Sequence, residues 1–275
     1  MQTPPPLSRL CLHTITTKPL SLQKAVTAYR EAGVAGITVW RDALAPLGVK
    51  ESAKVLANSG LKVVSLCRGG FFPATTAEKR TAALDDNRRA VDEAHAIGAP
   101  LIVLVCGAVP GMPLPEARKQ IADSITTLIP YAEQANVKFG IEPLHPMYAA
   151  ERCAVNTIAQ ANHIVEQIRS PQVGVTVDTF HLWWDDHLEA EIARCGRNNA
   201  IFSFHVCDWL SPMKDMLNDR GLMGEGCIDN RLIRSWVERA GFSGMIEVEI
   251  FSERWWKTDQ IQFIKEIREA YLKHL

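Results

Sequence analysis

Residues 173–187 read VGVTVDTFHLWWDDH. An uncharged run from Val173 to Val177 ends in Asp178, and His181 follows three residues later. A run this short and valine-rich suits a strand buried on both faces, as in a parallel sheet covered by helices. The fold turns on whether the same unit recurs along the chain. It does, in LCLHTI (10–15), GITVW (36–40), LKVVSLC (61–67), LIVLVC (101–106), VKFGIE (137–142), IFSFHV (201–206) and MIEVEI (245–250). Helical patterns fill the gaps at 21–32, 49–59, 77–97, 115–135, 156–168, 186–195, 230–240 and 258–272. Ser21 is placed to be an N-cap, and Gly33, Gly60 and Gly98 to end helices. Eight strand–helix units in unbroken alternation predict an α/β fold, a (β/α)8 TIM barrel forming one domain over residues 1–275. The competitor, a doubly wound open sheet, more often carries a glycine-rich phosphate loop after its first strand, and TITTKP (14–19) is not one.

Composition narrows the function classes. The 275 residues are 47 % hydrophobic and 22 % charged, and the net charge is −1 with both signs mixed throughout. No basic block points to nucleic acid or to an anionic membrane, so neither is expected as a partner. The seven cysteines are scattered with no CxxC pair, which argues against a zinc ribbon or a thioredoxin-like motif. Most lie in apolar runs, as small hydrophobes do, and reduced thiols in a cytoplasmic protein are expected. MQTPPPLSRL lacks the apolar segment of a signal peptide, and no run approaches a membrane span.

In such a barrel the active site forms at the C-terminal ends of the strands. The fifth run ends at Glu142 and the sixth at Asp178, while the seventh carries His205 and the eighth Glu249. A single strand-end carboxylate is usually a helix cap or a surface ion-pair partner, and a lone histidine in an apolar strand is usually core. Four consecutive strands each bringing one ionisable group to the same rim form a converging set. Three carboxylates and an imidazole crowded together repel and lose hydration unless a cation joins them. Oxygen-dominated ligation with one imidazole favours a hard or borderline divalent metal, manganese foremost, with magnesium, cobalt or zinc as alternatives. Glu247 shares a face with Glu249; periodicity does not choose between them, and only Glu249 stands at the strand end.

With these motifs the chain resembles the xylose isomerase-like barrel superfamily of sugar isomerases and epimerases, over nearly its whole length. The resemblance is to ketose 3-epimerases, where Glu, Asp, His and Glu from four successive strands hold one divalent metal. By position these are Glu142, Asp178, His205 and Glu249. A histidine three residues after the metal aspartate matches His181, and an arginine four residues ahead of Gly-Glu-Gly matches Arg220 in DRGLMGEG (219–226). The resemblance implies metal-assisted proton transfer next to a carbonyl through an enediolate, with Glu142 and Glu249 as the acid–base pair and His181 and Arg220 holding the oxygen that gains charge. The expected partner is a small sugar or polyol, and barrels of this family commonly pair into homo-oligomers. One departure stands out. The position of a further substrate-holding glutamate is Tyr148, and His145 in EPLHP is offered instead. Alternatives are a dehydratase of inosose or dehydroshikimate type on the same metal site, an apurinic endonuclease, and a sugar-binding barrel without catalysis. Against the endonuclease, Cys67 and Cys106 stand where that branch wants histidines.

Other rim positions have two readings each. Trp40 and Arg68 frame the sugar, or Arg68, like Arg41, pairs with a helix. Gly69-Gly70 lets backbone approach a ligand or turns the chain. His13 contacts substrate or is a core residue. Trp183, Trp184, Trp255 and Trp256 stack on sugar or pack between loops. Asp208 is expected to orient a metal ligand or Arg220. No glycine-rich nest favours a phosphorylated substrate.

Overall fold

The computed structural model describes residues 3–275. Eight parallel strands close into a barrel: β1 (Leu10–His13), β2 (Gly36–Trp40), β3 (Lys62–Gly70), β4 (Leu101–Val105), β5 (Lys138–Glu142), β6 (Val173–Asp178), β7 (Ile201–Val206) and, after a short antiparallel pair β8 (Asp208–Trp209) and β9 (Arg220–Gly221), the last barrel strand β10 (Ile246–Val248). Closure is by β10 lying parallel to β1, with Leu10 beside Ile246 and Leu12 beside Val248. The expected barrel is the observed one. Its strands are buried because helices cover their outer faces, among them α1 (Leu22–Glu31), α3 (Val49–Ala57), α4 (Ala77–Ile97), α5 (Leu114–Gln134), α6 (Ile158–Ile168), α8 (Leu188–Arg197), α9 (Asn230–Arg239) and α11 (Gln260–His274).

Local chemistry sets the helix ends. Ser21, Thr76, Thr157, Asp229 and Asp259 each accept a hydrogen bond from a main-chain N–H three residues on. Such caps stabilise a helix by about 1 kcal/mol each. Gly98 takes the left-handed conformation that ends α4, as expected.

The strand boundaries differ in two informative places. The first run was expected to reach residue 15, but β1 stops at His13 and the chain turns. The third run continues past Cys67 to Gly70, with a bulge between Cys67 and Gly69. Gly70 has φ +109°, and a Cβ there would sit 2.0 Å from the Val105 carbonyl oxygen. The close approach is to strand β4, so the glycine serves sheet packing and not a ligand. Three short helices follow strand ends directly: α2 (Arg41–Leu44), α7 (Thr179–Leu182) and α10 (Glu253–Trp256). With β8 and β9 they roof the C-terminal mouth. All seven cysteines are free, six of them buried. No helix among the described residues is long and apolar enough to cross a membrane.

Replacing Gly70 by alanine combines a strained φ with a main-chain clash, and should destabilise the protein by roughly 2 kcal/mol or more in urea denaturation. A G70A protein as stable as the parent would show that β3 and β4 are not packed as described.

Candidate active site

The strand ends converge as the spacing required. Asp178 and His205 are direct neighbours across β6 and β7, and Glu247 flanks His205 across β7 and β10. Glu142 ends β5, and Glu249 follows β10 directly. All four of Glu142, Asp178, His205 and Glu249 are buried, and each offers a ligand atom, these atoms lying within 4.8 Å of one another. Glu142 Oε1 and His205 Nδ1 are 3.0 Å apart, yet neither completes a hydrogen bond. Two orphaned buried ligand atoms facing each other among carboxylates fit a divalent cation, which would satisfy both and relieve the like-charge repulsion. The donor set is three carboxylates and one imidazole.

Charge compensation comes from a second strand pair and from the roof. Arg220, on β9, lies 2.8 Å from Glu249 Oε2 and 3.4 Å from Asp178 Oδ2. Its guanidinium is clasped between the rings of Phe180 and Phe251, 4.3 and 4.8 Å from their centroids. His13 Nδ1 is 3.0 Å from Glu249 Oε1. Burial pushes the Glu249 carboxyl up, but His13 and Arg220 outweigh it and hold the group well below the usual carboxylate range. Asp178 has less compensation. Burial raises it to about 7, against the pull of Arg220.

His181 sits in α7, directly after Asp178, whose Oδ1 accepts from the Phe180 N–H and starts that helix. The His145 main-chain N–H donates to His181 Nδ1 at 3.2 Å. This assigns the proton to Nε2, which faces the Arg220 NH2 group at 3.4 Å. Two donors cannot bond each other, so neither hydrogen is used by the other group. Burial, reinforced by Arg220, drives the His181 pKa well below that of a free histidine and keeps the ring neutral.

The other expected contacts divide. Trp40 is at the rim, but its Nε1–H is engaged by His13 Nδ1 at 3.2 Å. Arg68 stacks over Phe71 at 4.3 Å and borders a cavity of about 400 Å³ with Trp40 and Cys67. Arg41 instead pairs with Asp86 and Glu93 of α4. The His145 ring caps the Met147 N–H and packs on Trp209 at 4.7 Å, so its direct use in the site is the main-chain bond to His181. Tyr148 does not point a polar group at the centre, because its hydroxyl donates to the Met216 carbonyl oxygen. Asp208 accepts from the N–H groups of Trp209, Gly224 and Ile228, and so shapes the loop that carries Arg220; it touches no candidate ligand. Trp255 stacks on Phe263 at 4.5 Å and is core. Trp184 and Trp256 donate to the main-chain oxygens of His181 and Ile15.

Sequence reasoning did not separate Glu247 from Glu249. Glu247 and Glu249 both point inward, and Glu247 lies one layer deeper, where the hydroxyls of Thr38, Ser65 and Ser203 donate to it. The signal was present as hydroxyl residues at inward positions of otherwise apolar strands.

A family model described as the xylose isomerase-like TIM barrel matches residues 26–271. The chain belongs to this family. Protein SMc04130 from Sinorhizobium meliloti 1021 shares its structure at a TM-score of 0.94 and 45 % identity, over 98 % of this chain and 99 % of that one. The IOLI protein with a bound zinc atom has the same fold at a TM-score of 0.85 and 22 % identity, over 97 % and 99 % of the two chains. The inosose isomerase of Bacillus subtilis (strain 168) is 31 % identical over 146 residues, 52 % of this chain and 50 % of the relative. The chain thus spans about half the length of the curated relatives it matches.

Because Asp178 is raised to about 7, a cation held by its carboxylate would have to displace its proton. A raised carboxyl is mostly protonated below pH 7, so Mn²⁺ or Zn²⁺ affinity should fall by about tenfold per unit as pH drops from 7 to 5. Calorimetric titration at both ends of that range measures it; equal affinity at pH 5 and 7 would place the cation elsewhere.

Proposed function

We propose that the protein is a divalent-metal-dependent isomerase or epimerase that moves a proton on the carbon beside the carbonyl of a polyhydroxy ketone. The observation that carries this reading is the pairing of the four-residue cluster with two converging donors. Glu142, Asp178, His205 and Glu249 would hold the metal, for which manganese, magnesium, cobalt and zinc are all suitable. When bound, the cation acts as a Lewis acid on the substrate carbonyl and its neighbouring hydroxyl. The residues of the chain do the rest.

Glu142 ends β5 and Glu249 directly follows β10, with β6 and β7 between those strands in the barrel. In this reading they would approach a substrate carbon from different sides of the barrel mouth. One carboxylate takes the proton and the other returns it on the opposite face, which is what inversion at carbon requires. His181 Nε2–H and the Arg220 guanidinium, 3.4 Å apart, would both donate to the substrate oxygen that gains negative charge. A neutral His181 suits this role, since it donates a hydrogen bond without protonating the oxygen. The aromatic clasp on Arg220 fixes its direction before substrate arrives. The roof formed by α7, α10 and the β8–β9 loop excludes water, which protects an enediolate from side reactions.

The substrate class we infer is a non-phosphorylated ketose or cyclic keto-polyol. The departure at Tyr148 argues against the recognition pattern of simple ketose epimerases, and the relatives named inosose isomerase support a cyclic substrate. A dehydratase would start with the same proton abstraction and then expel a β-hydroxyl, so the product separates the two.

The test is incubation with Mn²⁺ in D₂O with free ketoses and inososes, followed by proton NMR. Deuterium should enter beside the carbonyl of at least one compound. E142Q and E249Q should each lower that exchange by about two to four orders of magnitude while retaining the fold. Near-parental exchange in both variants would refute the two-glutamate chemistry.

A further inference from the structure

Below the rim lies a carboxylate that the chemistry above does not use. Glu247 is 1 % exposed. Its Oε2 accepts from the Thr38 hydroxyl at 2.5 Å and the Ser65 hydroxyl at 3.2 Å, and its Oε1 accepts from the Ser203 hydroxyl. These three hydroxyls come from β2, β3 and β7, so the carboxylate is fixed from three directions. The same Oε2 is 3.3 Å from His13 Nε2 and 3.7 Å from His205 Nε2. The far nitrogen of each ring reaches the rim: His205 Nδ1 is 3.0 Å from Glu142 Oε1, and His13 Nδ1 is 3.0 Å from Glu249 Oε1. The two rings meet edge to face with centroids 4.5 Å apart.

We propose that Glu247 is a positioning residue whose single carboxylate sets the ring orientation of both His205 and His13, and so which nitrogen each ring turns to the rim. The inference rests on the metal-centre reading given above. An imidazole in an apolar barrel can turn over about its own axis, and the turned ring presents carbon where nitrogen is needed. A fixed anion beside Nε2 selects one orientation and one tautomer, leaving the Nδ1 lone pair of His205 for a cation. His205 Nε2 completes no hydrogen bond, and the carboxylate oxygen that faces it is Glu247 Oε2 at 3.7 Å, so the selection is electrostatic. Purely structural packing does not account for the arrangement. A buried carboxylate close to Glu249 adds like charge, and a well-packed apolar side chain would serve the core at least as well.

The experiment uses Co²⁺ alone as the probe, titrated into metal-free wild type, E247Q and S203A, with the visible d–d spectrum and the affinity both recorded. E247Q keeps the shape of the side chain but puts an amide beside the two imidazoles. It should bind Co²⁺ about 10- to 100-fold more weakly, with an altered band shape, while its circular dichroism stays that of the parent. S203A leaves the charge and removes one of its three holds, and should shift both readouts the same way by less. A merely structural Glu247 would lower the melting temperature and leave the affinity and spectrum of the folded protein alone. Should E247Q fail to fold, S203A and T38V decide, and parental affinity and spectra in both overturn the proposal. Absence of Co²⁺ binding by the wild type overturns the metal centre and this inference together. Tight wild-type binding with an unchanged E247Q overturns this inference alone.

Discussion

Four carboxylates share one end of a barrel barely wide enough for side chains, and the structure is organised around their mutual repulsion. Glu142, Asp178, Glu247 and Glu249 are each at most 4 % exposed, so water does not screen them. Each anion is met by a different device. Hydroxyls from three strands hold Glu247, and His13 and Arg220 hold Glu249. Asp178 caps α7 and remains only partly compensated, and Glu142 faces an imidazole without bonding it. The residual imbalance is therefore concentrated at the outermost atoms, where a divalent ion and a polar substrate can reach. Compensation rises with depth, from Glu142 and Asp178 at the rim to Glu247 below them.

How much of this was legible in the sequence follows from geometry. A parallel barrel brings equivalent strand ends to one rim, so Glu142, Asp178, His205 and Glu249 could be placed together without knowing a single contact. His181 and Arg220 were found through motif resemblance, and both lie at the centre. Period-two patterning gives the face of a residue but not its height, and so Glu247 and Glu249 were indistinguishable. His13 was undecided for a related reason. Its acidic neighbours are Glu247 and Glu249, more than two hundred residues away in the chain, and they meet it only after closure. Arg41 and Arg68 follow successive strands and looked alike, yet only Arg41 finds acidic partners, and those come from α4. Such pairings depend on helix placement, which no local pattern specifies.

The roof shows a division of labour between side chain and main chain. Asp208 and Tyr148 use their polar groups on main-chain atoms of the 207–228 segment, while His145 lends a main-chain N–H to His181. None of the three offers its side chain to the centre. Tyr148 stands where the resembling epimerases hold substrate, and here that position anchors the loop bearing Arg220. The Tyr148 hydroxyl is thereby engaged within the protein, on the main chain of that loop.

The closure of the barrel by β10 against β1 carries a consequence for biogenesis. The earliest strand and the latest one are hydrogen-bonded neighbours, and the latest brings both Glu247 and Glu249. During synthesis a chain grown through β7 already has Glu142, Asp178 and His205, but neither glutamate that completes the two layers. The partial chain has an open sheet edge, and both layers of carboxylates are complete only once the last strand has sealed the ring.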